Sequence, residues 1–231
     1  MSRNILPPQP SALLNEALTP LQLSLQLSQT PNLALAPRGN GESVLVWPGF
    51  GAGNASTAAL RAYLQFLGYN VAGWSQGTNS GDVLSLLDRL RDELISRRSP
   101  EPVTLVGWSL GGYLAREVAR DCPGHVRQVV TLGSPVIGGP KYTVVASAFE
   151  RLGTSVDEIE RLVDERYEVP LETPVTAVYS KSDGVVAWEA CIDERSPNVE
   201  HVEVWTSHVG LGFSPEVYRI IAGRLARRIV H

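Results

Sequence analysis

Val103-Thr104-Leu105-Val106-Gly107-Trp108-Ser109-Leu110-Gly111-Gly112 is the stretch on which the reading of this chain turns. Its first four residues make a short buried strand, the next five spell G-x-S-x-G, and a helical pattern runs from Ser109 to about Arg120. A strand that turns at once into a helix around a serine puts that hydroxyl on a tight, strained turn. Small neighbours are needed there, and Gly107 and Gly111 supply them. The same turn sets Ser109 at a helix N-terminus, whose free N–H groups and dipole favour an oxyanion. Ser109 is the candidate nucleophile.

Outward from this stretch the pattern alternates. Strands are predicted at 43–47, 70–74, 103–106, 126–132, 175–179 and 202–205, and helices at 55–67, 83–97 and 215–229. Strand–helix alternation with continuous β-branched runs is the signature of a mostly parallel central sheet with helices on both faces. The alternation pauses over 134–173, too long for an ordinary connection, where helices are predicted near 146–152 and at 156–167. Ahead of the sheet, residues 1–40 read as an N-terminal extension, and 41–231 as a single domain. Residues 1–10 hold three prolines and read as a disordered lead-in. Residues 11–28 carry Leu13, Leu14, Leu18, Leu21 and Leu25 at helical spacing, interrupted by Pro20. That helix is expected to lie against the body, because its polar face lacks the Lys and Arg of a surface-seeking helix.

The 231 residues, 43% hydrophobic and 19% charged, are those of an ordinary globular protein. A net charge of −4 with scattered Lys and Arg excludes a nucleic-acid footprint; Arg224, Arg227 and Arg228 close the last helix, where cations suit the dipole. Cys122 and Cys191 have neither disulfide-framework nor zinc spacing. No signal peptide or membrane span is visible, so a cytoplasmic location is expected. The sequence does not exclude a homo-oligomer.

A serine hydroxyl needs a base, and histidine is the usual one. Of the four, His125 precedes a strand, His201 begins one and His231 is terminal, whereas His208 follows a strand's carboxyl end, the layer in which open parallel sheets place their sites. The acid expected between the two in chain order is Asp183, directly after the 175–179 strand; Asp157, Glu158, Glu160, Asp164 and Glu165 fit a solvated helix face. Two backbone donors for an oxyanion are predicted at Leu110 and at Phe50, in Pro48-Gly49-Phe50-Gly51.

VLVWPGFGAGNAST (44–57), VTLVGWSLGGYLARE (103–117), VVTLGSPVIGG (129–139), YSKSDGVVAWEAC (179–191) and SHVGLGFSP (207–215) together resemble the bacterial α/β-hydrolases of the esterase and lipase group. The resemblance implies an α/β-hydrolase fold, Ser109, Asp183 and His208 as a triad, Phe50 and Leu110 at the oxyanion hole, and 134–173 as a small helical cap. It departs at Pro48-Gly49, where lipases often carry His-Gly. In the cap, Val136, Ile137, Tyr142, Val144, Val145, Phe149 and Leu152 either line an acyl pocket or pack as core; Trp108, beside the nucleophile, joins the substrate-binding candidates. The implied activity is hydrolysis of a small-molecule ester or lipid through an acyl-enzyme, with no metal and no organic cofactor. Thioester or amide cleavage, or acyl transfer, would use the same triad, and a non-catalytic binding protein is the reading from another class.

Overall fold

Alternate residues of the central strands face two different cores, and that division organises the molecule. The computed structural model describes residues 5–26, 33–97, 99, 101–151, 153 and 155–227. Its strands are β1 (Ser43–Trp47), β2 (Asn70–Ala72), β3 (Val103–Trp108), β4 (Val126–Leu132), β5 (Val175–Tyr179) and β6 (Val199–Glu203). They form one sheet, β2-β1-β3-β4-β5-β6, in which every neighbouring pair is parallel. The helices are α1 (Leu13–Ala17), α2 (Thr19–Gln26), α3 (Ala58–Phe66), α4 (Val83–Ser96), α5 (Leu110–Asp121), α6 (Ala146–Arg151), α7 (Val156–Tyr167), α8 (His208–Leu211) and α9 (Pro215–Leu225).

Leu45 and Trp47 of β1, with Leu105 of β3 and Val129 of β4, pack under α4 and α5. Val44, Val46, Val106 and Val130 face the opposite way, onto α3 and α9. Period-two strands buried on both faces therefore read as unbroken apolar runs. On α4, Leu86, Leu87, Leu90 and Leu94 form one buried stripe, and Asp82 caps the helix by accepting from the Ser85 N–H. Each fully buried leucine contributes about 1.5–3 kcal/mol. Residues 111–119 of α5 are all buried, so this helix, which begins at Ser109, is held on every side.

The chain moves outward from β1 to β2 and then returns past β1 to β3, which makes the gap between β1 and β3 the topological switch point. In such sheets the crevice opens at the carboxyl ends of the strands at that point. Here those ends carry Pro48–Phe50 and Ser109.

Charged groups tie the outer elements down. Glu117 of α5 is buried and accepts from Arg120 and from Arg166 of α7, and Arg166 also reaches Asp121 at 2.8 Å. Arg224 and Arg227 pair with Glu200 of β6. Arg116 of α5 and Asp193, before β6, form an ion pair that is almost wholly out of water. Burial opposes ionisation, but the Arg116 charge and the hydrogen bonds from Ser196 and Arg116 hold the Asp193 carboxyl far below its ordinary range.

The expected strands and helices recur, but their bounds differ: β3 runs on from 106 to Trp108, and the last helix ends at Leu225. β6 covers 199–203 rather than 202–205. It is an edge strand whose exposed Glu200 and Glu203 hide the period, and exposed Trp205 lies beyond it. β2 stops at Ala72, because the Trp74 N–H turns away to the Asn54 side chain. In the N-terminal segment Pro20 begins a second helix rather than breaking the first, sitting in the opening turn of α2, where no N–H is lost. Leu13, Leu14, Leu18 and Leu21 point outward; the side chain of Leu25, residues 27–28, and the expected Leu152, Arg228, Ile229 and His231 lie outside the described residues. Ile5, in the stretch read as a disordered lead-in, is buried against Ala187 and Ala190. Among the described residues no helix is long and apolar enough to cross a membrane.

Removing one partner of a buried ion pair strands the other without water. Asp193→Ala is expected to lower unfolding free energy by about 3–5 kcal/mol in a urea titration, against near-neutral effects for Glu200→Ala at the exposed pair.

Candidate active site

The β3–α5 junction forces an unusual backbone on its serine. Ser109 has φ 53° and ψ −124°, and it is the one non-glycine residue at positive φ among the described residues. Such a conformation costs about 1–3 kcal/mol and persists only where packing imposes it. A Cβ on Gly107 would strike the backbone of Gly111 and Gly112, and one on Gly111 would lie 2.5 Å from the Pro48 and Trp47 carbonyl oxygens. The turn closes only with glycine at both positions. The carbonyl of Ser109 accepts from the Gly112 N–H at 2.9 Å, starting α5.

Asp183 and His208 come from the loops that follow β5 and β6, and both are buried. His208 Nδ1 lies 2.7 Å from Asp183 Oδ2, while Asp183 Oδ1 accepts from the Val185 and Val186 N–H groups at 2.8 Å each. Three charge-assisted contacts of this kind leave the carboxylate little freedom to rotate. Burial alone would push the imidazole's pKa down. The Asp183 charge and hydrogen bond, with a smaller contribution from Glu16, outweigh it, and the pKa of His208 lies above its ordinary value.

The carboxyl end of β4 joins these two parts. The Leu132 carbonyl accepts from the Ser109 N–H at 2.8 Å, and the next residue, Gly133, donates its N–H to Val178 of β5. Gly133 has φ 56°, and a Cβ there would lie 2.9 Å from Asp183 Oδ2 and 3.1 Å from His208 Nδ1. The Ser109 backbone is thus linked to the surroundings of the His–Asp pair through Leu132 and Gly133. Trp108 secures the other side, its indole N–H donating to the His208 carbonyl at 3.2 Å.

The Pro48–Phe50 loop closes against the elbow. A Cβ on Gly49 would sit 3.2 Å from Ser109 Cβ. The N–H groups of Phe50 and Leu110 donate to no acceptor among the described residues. Asn79, fully buried, shapes this loop: its side chain donates to the Pro48 carbonyl, and its backbone pairs with Gly51 and Ala52.

The sequence matches that of the alpha/beta hydrolases over residues 26–230. The chain belongs to the alpha/beta hydrolase family. Solved structures with the same fold include the monoacylglycerol lipase of Paleococcus ferrophilus, 17% identical with a TM-score of 0.64, covering 81% of this chain and 96% of that one. A lipase-esterase related protein from Clostridium acetobutylicum is 16% identical with a TM-score of 0.60, covering 82% and 96%. The thioesterase domain from the curacin biosynthetic pathway is 16% identical with a TM-score of 0.59, covering 83% and 93%. At these identities the likeness is one of fold.

In this alpha/beta hydrolase, Ser109 borders a small apolar cavity of about 30 Å³, walled by Phe50, Leu110, Tyr113, Val145, Phe149 and Ile159 among others. Of the side chains expected to meet substrate, Val145 and Phe149 line it. Trp108 turns to the other side of the elbow, against Phe213 and His208. Ile137 and Tyr142 pack on Ile5, Ala187 and Ala190, and Val136 is buried with its N–H on the Ala190 carbonyl. Apolar residues near a cap fill whichever gap their backbone faces, and sequence does not show that direction. Tyr113, Val83, Ile159 and Asn79 were not legible as site residues. The remaining histidines stand apart: His125 is exposed at the amino end of β4 and His201 accepts from the Asp193 N–H.

An NMR titration of the His208 ring is expected to give a midpoint above about 6.5. In Asp183→Asn, where burial loses its main opponent, the midpoint should fall; an unchanged value would show that the pair does not set it.

Proposed function

We propose that the protein is a serine hydrolase that cleaves carboxylic esters through an acyl-enzyme on Ser109. The observation that carries this reading is the positive φ of Ser109, strained backbone held at the switch point beside a buried His–Asp pair. In the proposed reaction His208 Nε2 takes the Ser109 proton as Oγ bonds to the ester carbonyl carbon. The resulting oxyanion sits at the Phe50 and Leu110 N–H groups, and Asp183 holds the ring and stabilises its cation. Collapse of the intermediate breaks the C–O bond, and the alcohol leaves with the proton from His208. Water, deprotonated by the same nitrogen, then releases the acid and restores the serine.

The wall of the cavity supports an apolar acyl group. Its volume of about 30 Å³ is small, so an acyl chain also occupies space beyond it. Phe149 of α6 stacks on Phe50 with centroids 4.4 Å apart, and both α6 and α7 belong to the 134–173 segment, which on this reading is the cap. Beyond Phe149 lies a groove of about 590 Å³ that shares Val83, Tyr113, Phe149, Ile159 and Val163 with the cavity. The substrate is therefore a small-molecule ester or lipid whose acyl chain passes Phe149. Buried, unpaired Cys122 and Cys191 suit a reducing compartment such as the cytoplasm.

Hydrolysis of p-nitrophenyl esters from acetate to palmitate tests the reading, with Ser109→Ala alongside. Turnover on some chain length that drops by several orders of magnitude in the variant is expected. Ser109-dependent release from acyl thioesters but from no ester would move the assignment to a thioesterase, and unchanged turnover in the variant would remove Ser109 as nucleophile. Phe149→Ala, which joins cavity and groove, should move the kcat/KM optimum to longer chains; an unmoved optimum would place the acyl chain elsewhere.

A further inference from the structure

The family match begins at residue 26, yet side chains ahead of it reach the loops that carry Asp183 and His208. Along α1 and α2 the inward positions are Asn15, Glu16, Thr19 and Gln22, at helical spacing, while Leu14, Leu18 and Leu21 lie in solvent. Each of these four polar side chains is hydrogen-bonded to one of the two loops, and Leu23 is half-buried. Asn15 donates to the Ser182 carbonyl at 3.2 Å, Thr19 and Ser207 hydroxyls meet at 2.5 Å, and Gln22 accepts from the Ser207 N–H at 3.2 Å.

Glu16 does most. Its Oε1 accepts from the Gly184 N–H at 2.9 Å and from the His208 N–H at 2.8 Å, and its Oε2 accepts from the Val209 N–H at 2.9 Å. One carboxylate thus joins the residue after Asp183 to the backbone of His208 itself. Bonds from N–H groups to an ionised oxygen are about twice as strong as neutral ones, and those from Gly184 and His208 are partly shielded from water.

We propose that Glu16 is a positioning residue, which fixes His208 relative to Asp183 by bridging the backbones of their two loops. The proposal rests on the hydrolase reading for its effect on turnover. It gives the N-terminal helices a part in the site that the rest of the fold does not supply: β5 and β6 end before these loops, and among the described residues only α1 sends a carboxylate to both. The charged groups facing His208 are Asp183, from the loop after β5, and Glu16. From the elbow and from β4 it meets Trp108 and Gly133, which carry no charge.

The test uses the full chain with Glu16→Gln and Glu16→Ala. Glutamine keeps one acceptor but loses the charge and turns an amide donor toward a backbone donor. In both variants kcat on the best ester is expected to fall tenfold or more with KM within twofold. The acid limb of the kcat/KM profile, set by protonation of His208, should move to lower pH, because a negative charge has left its surroundings. Glu16→Asp, too short for all three donors, should recover the position of the limb but only part of kcat. Wild-type kcat in both neutral variants overturns the proposal. So does a fall in kcat that tracks thermal melting with an unmoved acid limb, which marks a merely structural contact. If the wild type shows no Ser109-dependent turnover, the hydrolase reading fails instead. An NMR titration of the His208 ring in Glu16→Gln, which needs no turnover, then still decides: a lowered midpoint supports the positioning contact and an unchanged one overturns it.

Discussion

Between Gly107 and Gly112 the chain goes from strand to helix with no loop, and Ser109 takes up the whole change of direction at φ 53°. The turn can be this tight only because backbone packs on backbone. Gly111 lies against the Pro48 and Trp47 carbonyls, and Gly107 against the start of α5. The strain is sustained by the burial of α5 on all sides, since a helix with nine consecutive buried residues cannot tilt to relieve it. From that fixed point the Ser109 N–H reaches Leu132, Leu132 leads to Gly133, and Gly133 lies against the His–Asp pair. The geometry of the site thus descends from a steric condition met by four small residues.

Main-chain groups hold most of the side chains in place. Asp183 is oriented by two N–H groups, His208 by its own N–H and carbonyl, and the Phe50 loop through the Pro48 carbonyl. Main-chain partners do not depend on which side chain a neighbour carries, so this scaffolding leaves little trace in residue types. Asn79 and Glu16, with Asn15 and Gln22, are exceptions, polar side chains that reach backbone on distant segments.

That difference explains what was legible in the sequence. β1, β4 and β5 were readable to the residue because buried parallel strands have unbroken apolar runs, whereas β6, an edge strand with Glu200 and Glu203, was displaced toward its more apolar end. Ser109, Asp183 and His208 could be singled out as candidates because each follows a strand's carboxyl end, a position that strand periodicity gives directly. The cavity wall was not: whether Tyr142 or Phe149 faces Ser109 depends on how α6 and the turn before it are rotated, and both residues are equally apolar there. Asn79 and Glu16 gave no signal at all, as their partners lie 31 and more than 160 positions away.

The N-terminal helices reverse the usual relation between a helix and the body it rests on, with polar residues inward and leucines outward. Anyone shortening this protein to a minimal fragment would naturally cut just before β1, where the sheet begins and the leucine-rich stretch reads as dispensable surface. Such a cut would spare every strand, at the loss of the Asn70–Glu42 backbone bond and of Leu33 and Ala36 from the edge of one core. It would, however, leave the His208, Val209 and Gly184 amides without their acceptor, so a fragment that folds and looks whole by circular dichroism would carry a loosened histidine.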